Sequence, residues 1–121
     1  MKKKEIKQGD VYMCDLGEAV GSEQKSIRPI LVISCDSLNI NRSNVIIVPI
    51  TSSTSKKNMI NHYCLSKDKY EWFTHKSNIA LLECVRDVST IRIERYLGTI
   101  DQKDITEILK LIIYDFIEFH G

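Results

Sequence analysis

Short apolar runs separated by polar segments dominate the first hundred residues of the chain. Ile30–Ile33 and Val45–Val48 are the clearest runs, and both are rich in β-branched residues. Runs of this length and composition predict buried β-strands. Weaker strand patterns cover residues 11–16, 59–66, 79–89 and part of 92–100, the last with a turn at Gly98.

The period of the pattern changes after residue 100. Apolar residues from Ile105 to Ile117 recur at the spacing of an amphipathic helix. Asp101 is a suitable N-cap for that helix, with Asp104 as the partner acid of a capping box. Many short strands and one terminal helix predict a mainly β fold with α: a small, curled antiparallel barrel closed by a C-terminal amphipathic helix.

Polar side chains stand where the two clearest strands meet loops. Arg28 begins the first strand, and Thr51 ends the second. If the two strands are antiparallel neighbours, both side chains reach the same end of the sheet. An arginine fork beside a hydroxyl can bind a phosphate there. The polar segments 17–27, 36–44 and 52–58 are predicted to be loops.

Length, composition and charge narrow the class of protein. The chain has 121 residues, of which 43% are hydrophobic and 27% charged, so we expect one domain over residues 1–121. A net charge of +1 argues against a strongly basic nucleic-acid clamp, although it permits a local anion site. No signal peptide or membrane-length apolar run is evident, so the expected location is the cytoplasm.

The cysteines and histidines predict no metal site and no cofactor. None of them has metal-knuckle spacing. The cysteines are expected to be small buried hydrophobes in a reducing compartment, and the histidines to be surface or structural residues. These residues are Cys14, Cys35, Cys64, Cys84, His62, His75 and His120.

Metal-free RNA cleavage is one reaction that such residues could perform. In it, the ribose 2′-hydroxyl attacks the adjacent phosphate and the 5′-oxygen leaves. Arg28 and Thr51 could stabilise the extra negative charge. Either Glu23 or Glu83 could act as the base, or the mechanism could rely on substrate positioning. Taken singly, each residue also has a structural interpretation, such as a loop anchor or a strand-end hydrogen bond. Further neutral donors are Ser22, Gln24, Ser52 and Ser53.

Five blocks of the chain resemble the MazF/PemK-type toxins in order and spacing. They are Gly9–Tyr12, Gly21–Gln24, Arg28–Ile33, Pro49–Ser52 and Ile79–Arg86. The resemblance implies an SH3-like barrel with a C-terminal helix, usually a homodimer. It implies metal-independent, sequence-specific endoribonuclease action on single-stranded RNA, commonly mRNA, that leaves 2′,3′-cyclic phosphate and 5′-hydroxyl ends. It also implies a cognate antitoxin protein that blocks the RNA site.

The resemblance also assigns roles to individual residues. The catalytic arginine of the family matches Arg28, and its catalytic threonine matches Thr51. The loop at 17–27 corresponds to the one that gates the RNA groove. The other RNA-binding candidates are Ser22, Glu23, Gln24, Ser52, Ser53, Glu83 and Arg86.

The chain departs from one branch of the family. Some PemK-type members use a histidine in the first loop, where this chain has Ser22. They also use an arginine and an aspartate in the later strand, where this chain has Leu81 and Glu83. The arginine–threonine branch therefore fits better.

Two other functions remain open. One is a protein-binding toxin of the same barrel type, resembling a gyrase poison, which would use an exposed surface of the C-terminal helix. The other is a non-catalytic RNA-binding barrel. The joint presence of Arg28 and Thr51 favours the nuclease.

Overall fold

Seven strands and two α-helices form the part of the chain that a computed structural model describes, which is residues 5–17, 27–41, 43–52 and 62–114. The strands are β1 (Asp10–Asp15), β2 (Ile27–Val32), β3 (Asn44–Thr51), β4 (His62–Ser66), β5 (Ser77–Leu81), β6 (Arg86–Ser89) and β7 (Ile93–Thr99). The helices are α1 (Asp36–Asn41) and α2 (Gln102–Ile112).

All strand pairs are antiparallel, in the order β4-β5-β3-β2-β1-β7, and β6 also pairs with β3. Among the described strands, no pairing joins β4 to β7, so the sheet is curled and barrel-like without closing into a ring. The prediction of a mainly β fold with a covering C-terminal helix is confirmed.

The two faces of the sheet bury two separate hydrophobic cores. Leu31 and Ile33 lie in one core, together with residues of α2, whereas Ile30 and Val32 lie in the other. Because side chains alternate along a strand and both faces are covered, a continuous apolar run is required rather than an alternating one. The sequence pattern of the central strands is explained by this double burial.

Helix α2 begins as its sequence predicts. The Asp101 carboxylate accepts a hydrogen bond from the backbone N–H of Asp104 at 2.9 Å. The Asp104 side chain does not complete a capping box, because it is buried and accepts hydrogen bonds from Tyr63 (2.6 Å), Tyr70 (2.5 Å) and Lys69 (2.9 Å). These bonds tie α2 to β4 and to the turn that follows it. No helix in the described residues is long and apolar enough to cross a membrane.

The predicted continuous strand over 79–89 is wrong. Strand β5 ends at Leu81, and a 3-10 turn at Leu82–Cys84 buries Leu82 in the core. Strand β5 pairs with the end of β3 at Thr51, whereas β6 pairs with the start of β3 at Asn44. The chain must turn between them to reach the other half of β3.

The predicted turn at Gly98 is also wrong, because β7 runs through this residue. A Cβ atom at Gly98 would lie 2.2 Å from Cε2 of Trp72. The glycine therefore makes room for the indole ring, which packs 4.5 Å from the ring of Phe73. Trp72 is a packing residue.

The polar segment 36–44 was expected to be a loop, but it contains helix α1. The buried Asn39 side chain accepts a hydrogen bond from Ser34 Oγ and donates one to the Ser34 carbonyl at 3.0 Å. Asp36 accepts the backbone N–H of Gln8 at 2.7 Å. Such side-chain bonds can fix a polar helical turn that has no apolar periodicity.

Burial of the cysteines was predicted correctly only for Cys14. The other three, Cys35, Cys64 and Cys84, are exposed, and all four are free thiols. Cys64 shows the reason, since it lies on the outward face of β4, an edge strand of the sheet.

Candidate active site

A cleft of about 370 Å³ opens at one end of the sheet, beside the ends of β2 and β3. Strands β1, β5 and β7 and the turn before β5 contribute the rest of its lining. Its polar lining residues are Arg28, Thr51, Ser52, Thr74, His75, Asn78 and Arg95.

The register of the two central strands explains why Arg28 and Thr51 meet. The last backbone pair of β2 with β3 is Ile30 with Pro49. Arg28 and Thr51 each lie two residues beyond this last pair, at the same end of the sheet. Because side chains alternate along a strand, both lie on the face of the sheet that carries Ile30, which packs in the core without α2. The structure therefore brings the two predicted residues to one place.

The cleft lies where the pairing of β2 with β3 stops, at Ile30 and Pro49, although both strands continue and stay paired on their other edges. Beyond Pro49, Thr51 pairs with Ile79 in β5, whereas Arg28 pairs with Cys14 in β1. The two strands therefore diverge, and the functional side chains stand at the divergence.

The cleft carries positive charge. Arg28 and Arg95 are both exposed, and neither guanidinium forms an ion pair or side-chain hydrogen bond with another described residue. The described lining residues include no carboxylate. Hydroxyl groups of Thr51, Ser52 and Thr74 supply neutral donors beside these cations. Two arginine forks with adjacent hydroxyls are suited to bind a phosphate group.

The other predicted site residues are not all in the cleft. Ser52 lines it, but Glu83 and Arg86 do not. Glu83 Oε2 lies 2.9 Å from Nε2 of His62, whose side chain is fully buried. Arg86 lies in β6 opposite Ile47. Their RNA contacts stay predictions.

Four further candidates fall on residues whose structure is not described. They are Ser22, Glu23, Gln24 and Ser53.

Sequence reasoning missed His75, Arg95 and Thr74. No spacing rule marks them, and His75 was interpreted as a surface or structural residue. The signal that could have found His75 is topological. His75 lies just before β5. Because β5 pairs antiparallel with β3, the start of β5 lies beside the end of β3 that carries Thr51.

No metal-binding group is formed by the described residues: no three or more His, Cys, Asp or Glu side chains are arranged to hold an ion.

Comparison with known protein sequences identifies one family. Residues 7–114 match the family described as PemK-like, MazF-like toxin of type II toxin-antitoxin system. Endoribonuclease MazF of Staphylococcus saprophyticus is 33% identical over 103 residues, which cover 85% of this chain and 84% of that protein.

Comparison with solved structures shows the same fold. MazF of Deinococcus radiodurans superposes with a TM-score of 0.73 at 18% identity, covering 93% of this chain and 96% of that chain. An endoribonuclease from a mycobacterial species, solved in complex with its cognate antitoxin, gives a TM-score of 0.70 at 18% identity. That match covers 90% of this chain and 92% of the other.

Proposed function

This chain belongs to the PemK-like, MazF-like toxin family of type II toxin–antitoxin systems and is an endoribonuclease, and we propose that Arg28 and Thr51 form its catalytic site. The substrate is single-stranded RNA, principally mRNA in the cytoplasm, cut at a short recognised sequence. The reaction needs no metal ion, because the arginines of the cleft supply the positive charge.

The reaction transfers the scissile phosphate within one RNA strand. A bond forms between the 2′-oxygen and phosphorus, and the bond from phosphorus to the 5′-oxygen breaks. The products are a 2′,3′-cyclic phosphate and a 5′-hydroxyl end. One proton leaves the 2′-hydroxyl, and one must reach the 5′-oxygen.

Arg28 and Thr51 stabilise the phosphoryl oxygens as negative charge builds up on them. The arginine offers a charged planar fork, and the threonine hydroxyl donates a neutral hydrogen bond. Donors placed in advance act mainly on the transition state, and removal of one typically lowers kcat by about 10²–10³-fold. The placement of both side chains in one cleft, whose described lining residues include no carboxylate, is the observation that carries the proposal.

A single-stranded substrate fits the small number of charges. The chain has a net charge of +1, and its described cleft contains only two arginines. Single-stranded bases can be splayed out and read by contacts to their edges, which needs few phosphate contacts. Binding should therefore weaken only modestly as salt rises. Ser52 and the candidates outside the described residues, Ser22, Glu23, Gln24 and Ser53, would contact the RNA.

Two protein partners belong to the same proposal. One is a second copy of this chain in a homodimer, and the other is a cognate antitoxin that blocks the cleft. The second is supported by the structural neighbour that was solved with its own antitoxin.

The test is cleavage of a long single-stranded RNA in excess EDTA. Arg28→Ala should lower the rate by about 10²–10³-fold, and Arg28→Lys should recover only part of it, because lysine lacks the planar fork. Lys103→Ala, which removes an exposed charge on α2 outside the cleft, is the matched control. End mapping should show 5′-hydroxyl and cyclic phosphate termini.

Other outcomes would refute parts of the proposal. Cleavage that stops in EDTA would refute metal independence, and equal cleavage by Arg28→Ala would remove the proposed site. RNA that is bound but stays intact would identify a non-catalytic RNA-binding barrel. RNA that is neither bound nor cut would favour a toxin that acts on a protein target.

A further inference from the structure

The proposed reaction moves two protons, yet neither Arg28 nor Thr51 exchanges protons readily. Arginine stays protonated in proteins, and the threonine hydroxyl is a weak acid. The described lining of the cleft contains one histidine and no carboxylate. Histidine is the residue type whose charge changes between about pH 5 and 8, which makes it the usual acid or base of enzymes.

The backbone around His75 is held firmly. Its carbonyl accepts a hydrogen bond from Nδ2 of Asn78 at 2.8 Å, and Asn78 is only 2% exposed. The carbonyl of Lys76 accepts the backbone N–H of Lys67 at 2.9 Å, and the Phe73 carbonyl accepts Lys67 Nζ at 2.6 Å. The turn that carries His75 is therefore fixed on both sides.

The imidazole, in contrast, is available to a ligand. It is exposed at the cleft, and it forms no side-chain hydrogen bond or ion pair with another described residue. A side chain with an anchored backbone and an uncommitted polar end is suited to contact substrate. A structural histidine is different, as His62 shows by its burial against Glu83.

We propose that His75 is the general acid that protonates the departing 5′-oxygen; this inference rests on the proposed function. As the bond from phosphorus to the 5′-oxygen breaks, the imidazolium N–H gives its proton to that oxygen, and neutral imidazole remains. The 2′-hydroxyl proton passes to solvent water, from which His75 is reprotonated. The cycle consumes no other reactant.

The acid role follows from where charge develops. The departing alkoxide is a strong base, so its protonation lowers the barrier most when a donor is already in place. An imidazolium would also add positive charge to the cleft that Arg28 and Arg95 line, where the anionic phosphate is proposed to bind. A bound phosphate compensates the mutual repulsion of the three cations.

A sulfur substitution tests proton donation directly. RNA with one bridging sulfur in place of the scissile 5′-oxygen releases a thiolate, which leaves without being protonated. His75→Ala should cleave ordinary RNA about 10²–10⁴-fold more slowly than the parent protein, but the sulfur RNA at nearly the parent rate. Arg28→Ala should be impaired on both substrates, because it stabilises the phosphoryl oxygens in either reaction.

The controls separate the possible failures. Lys76→Ala changes the adjacent exposed side chain, which does not line the cleft, and should cleave both RNAs at the parent rate. If the parent protein cuts neither RNA, the proposed function fails. If the parent cuts and His75→Ala cuts ordinary RNA equally well, only the role of His75 fails. An equal defect of His75→Ala on both RNAs would show binding or positioning and refute proton donation.

Discussion

Replacing Gly98 with alanine tests whether the indole of Trp72 packs where a side chain would otherwise stand. The new Cβ would lie 2.2 Å from Cε2 of Trp72 and 2.5 Å from both Cδ2 and Nε1. Carbon atoms in contact prefer a separation of about 3.5–4.0 Å. The ring must therefore move by more than 1 Å, and it is packed against Phe73 on one side.

The size of the effect comes from two opposing contributions. Overpacking a core typically costs about 1–3 kcal/mol. Gly98 has no left-handed backbone angle, so alanine can adopt its conformation and gains about 0.4–1 kcal/mol through the unfolded state. The net loss should be about 1–2 kcal/mol, or roughly 4–10 °C in Tm for a chain of this length.

A double-mutant cycle with Trp72→Leu isolates the contact. In the leucine background the obstruction is absent, so Gly98→Ala should be neutral or slightly stabilising, which gives a coupling energy of about 1–3 kcal/mol. Urea unfolding followed by circular dichroism measures all four proteins. Trp72 is the only tryptophan, so a fluorescence shift in Gly98→Ala would report ring displacement. Equal loss in both backgrounds would refute the packing argument.

Two further predictions concern the hydrogen bonds of a buried ionisable side chain, Asp104 in one case and His62 in the other. Burial alone would raise the pKa of Asp104, but hydrogen bonds from two tyrosines and Lys69 outweigh it and hold that pKa below its ordinary value. A carboxyl with a lowered pKa stabilises the fold above about pH 4, and this contribution is lost as pH falls through the folded value. Asp104→Asn should therefore lose about 2–3 kcal/mol at pH 7 and much less near pH 2; an equal loss at both would refute it. Glu83→Gln should lower stability by about 1–2 kcal/mol, because His62 is buried against it; unchanged stability would refute this structural role, and a cleavage defect without a stability loss would support the predicted RNA contact of Glu83.

The features predicted correctly are those that local chemistry or one rule of geometry determines. Ile30–Ile33 and Val45–Val48 read as strands because both of their faces are buried. Asp101 caps α2 through a bond three residues away. The convergence of Arg28 and Thr51 needed only that two strands be antiparallel neighbours.

The features missed depend on contacts that are distant in sequence. Helix α1 is supported by the backbone N–H of Gln8, which lies 28 residues from its bonding partner Asp36. Gly98 reads as a turn until Trp72 is placed against it. His75 enters the cleft only through the pairing of β5 with β3. In each case the contact that determines the local structure joins residues far apart in the chain, so the local hydrophobic pattern does not reveal it.

The packing of Gly98 and the chemistry of the cleft are physically joined through one aromatic residue. Phe73 stacks against Trp72 on its core side and lines the cleft beside His75 on the other. A displaced indole would therefore press on the turn that places the proposed acid, while Arg28 stands on a different strand. A misplacement of about 1 Å can lower a rate by about 10²-fold. Gly98→Ala should then slow cleavage of ordinary RNA by more than its small unfolded fraction explains, and the sulfur-substituted RNA should be affected less, since the step that requires His75 is bypassed.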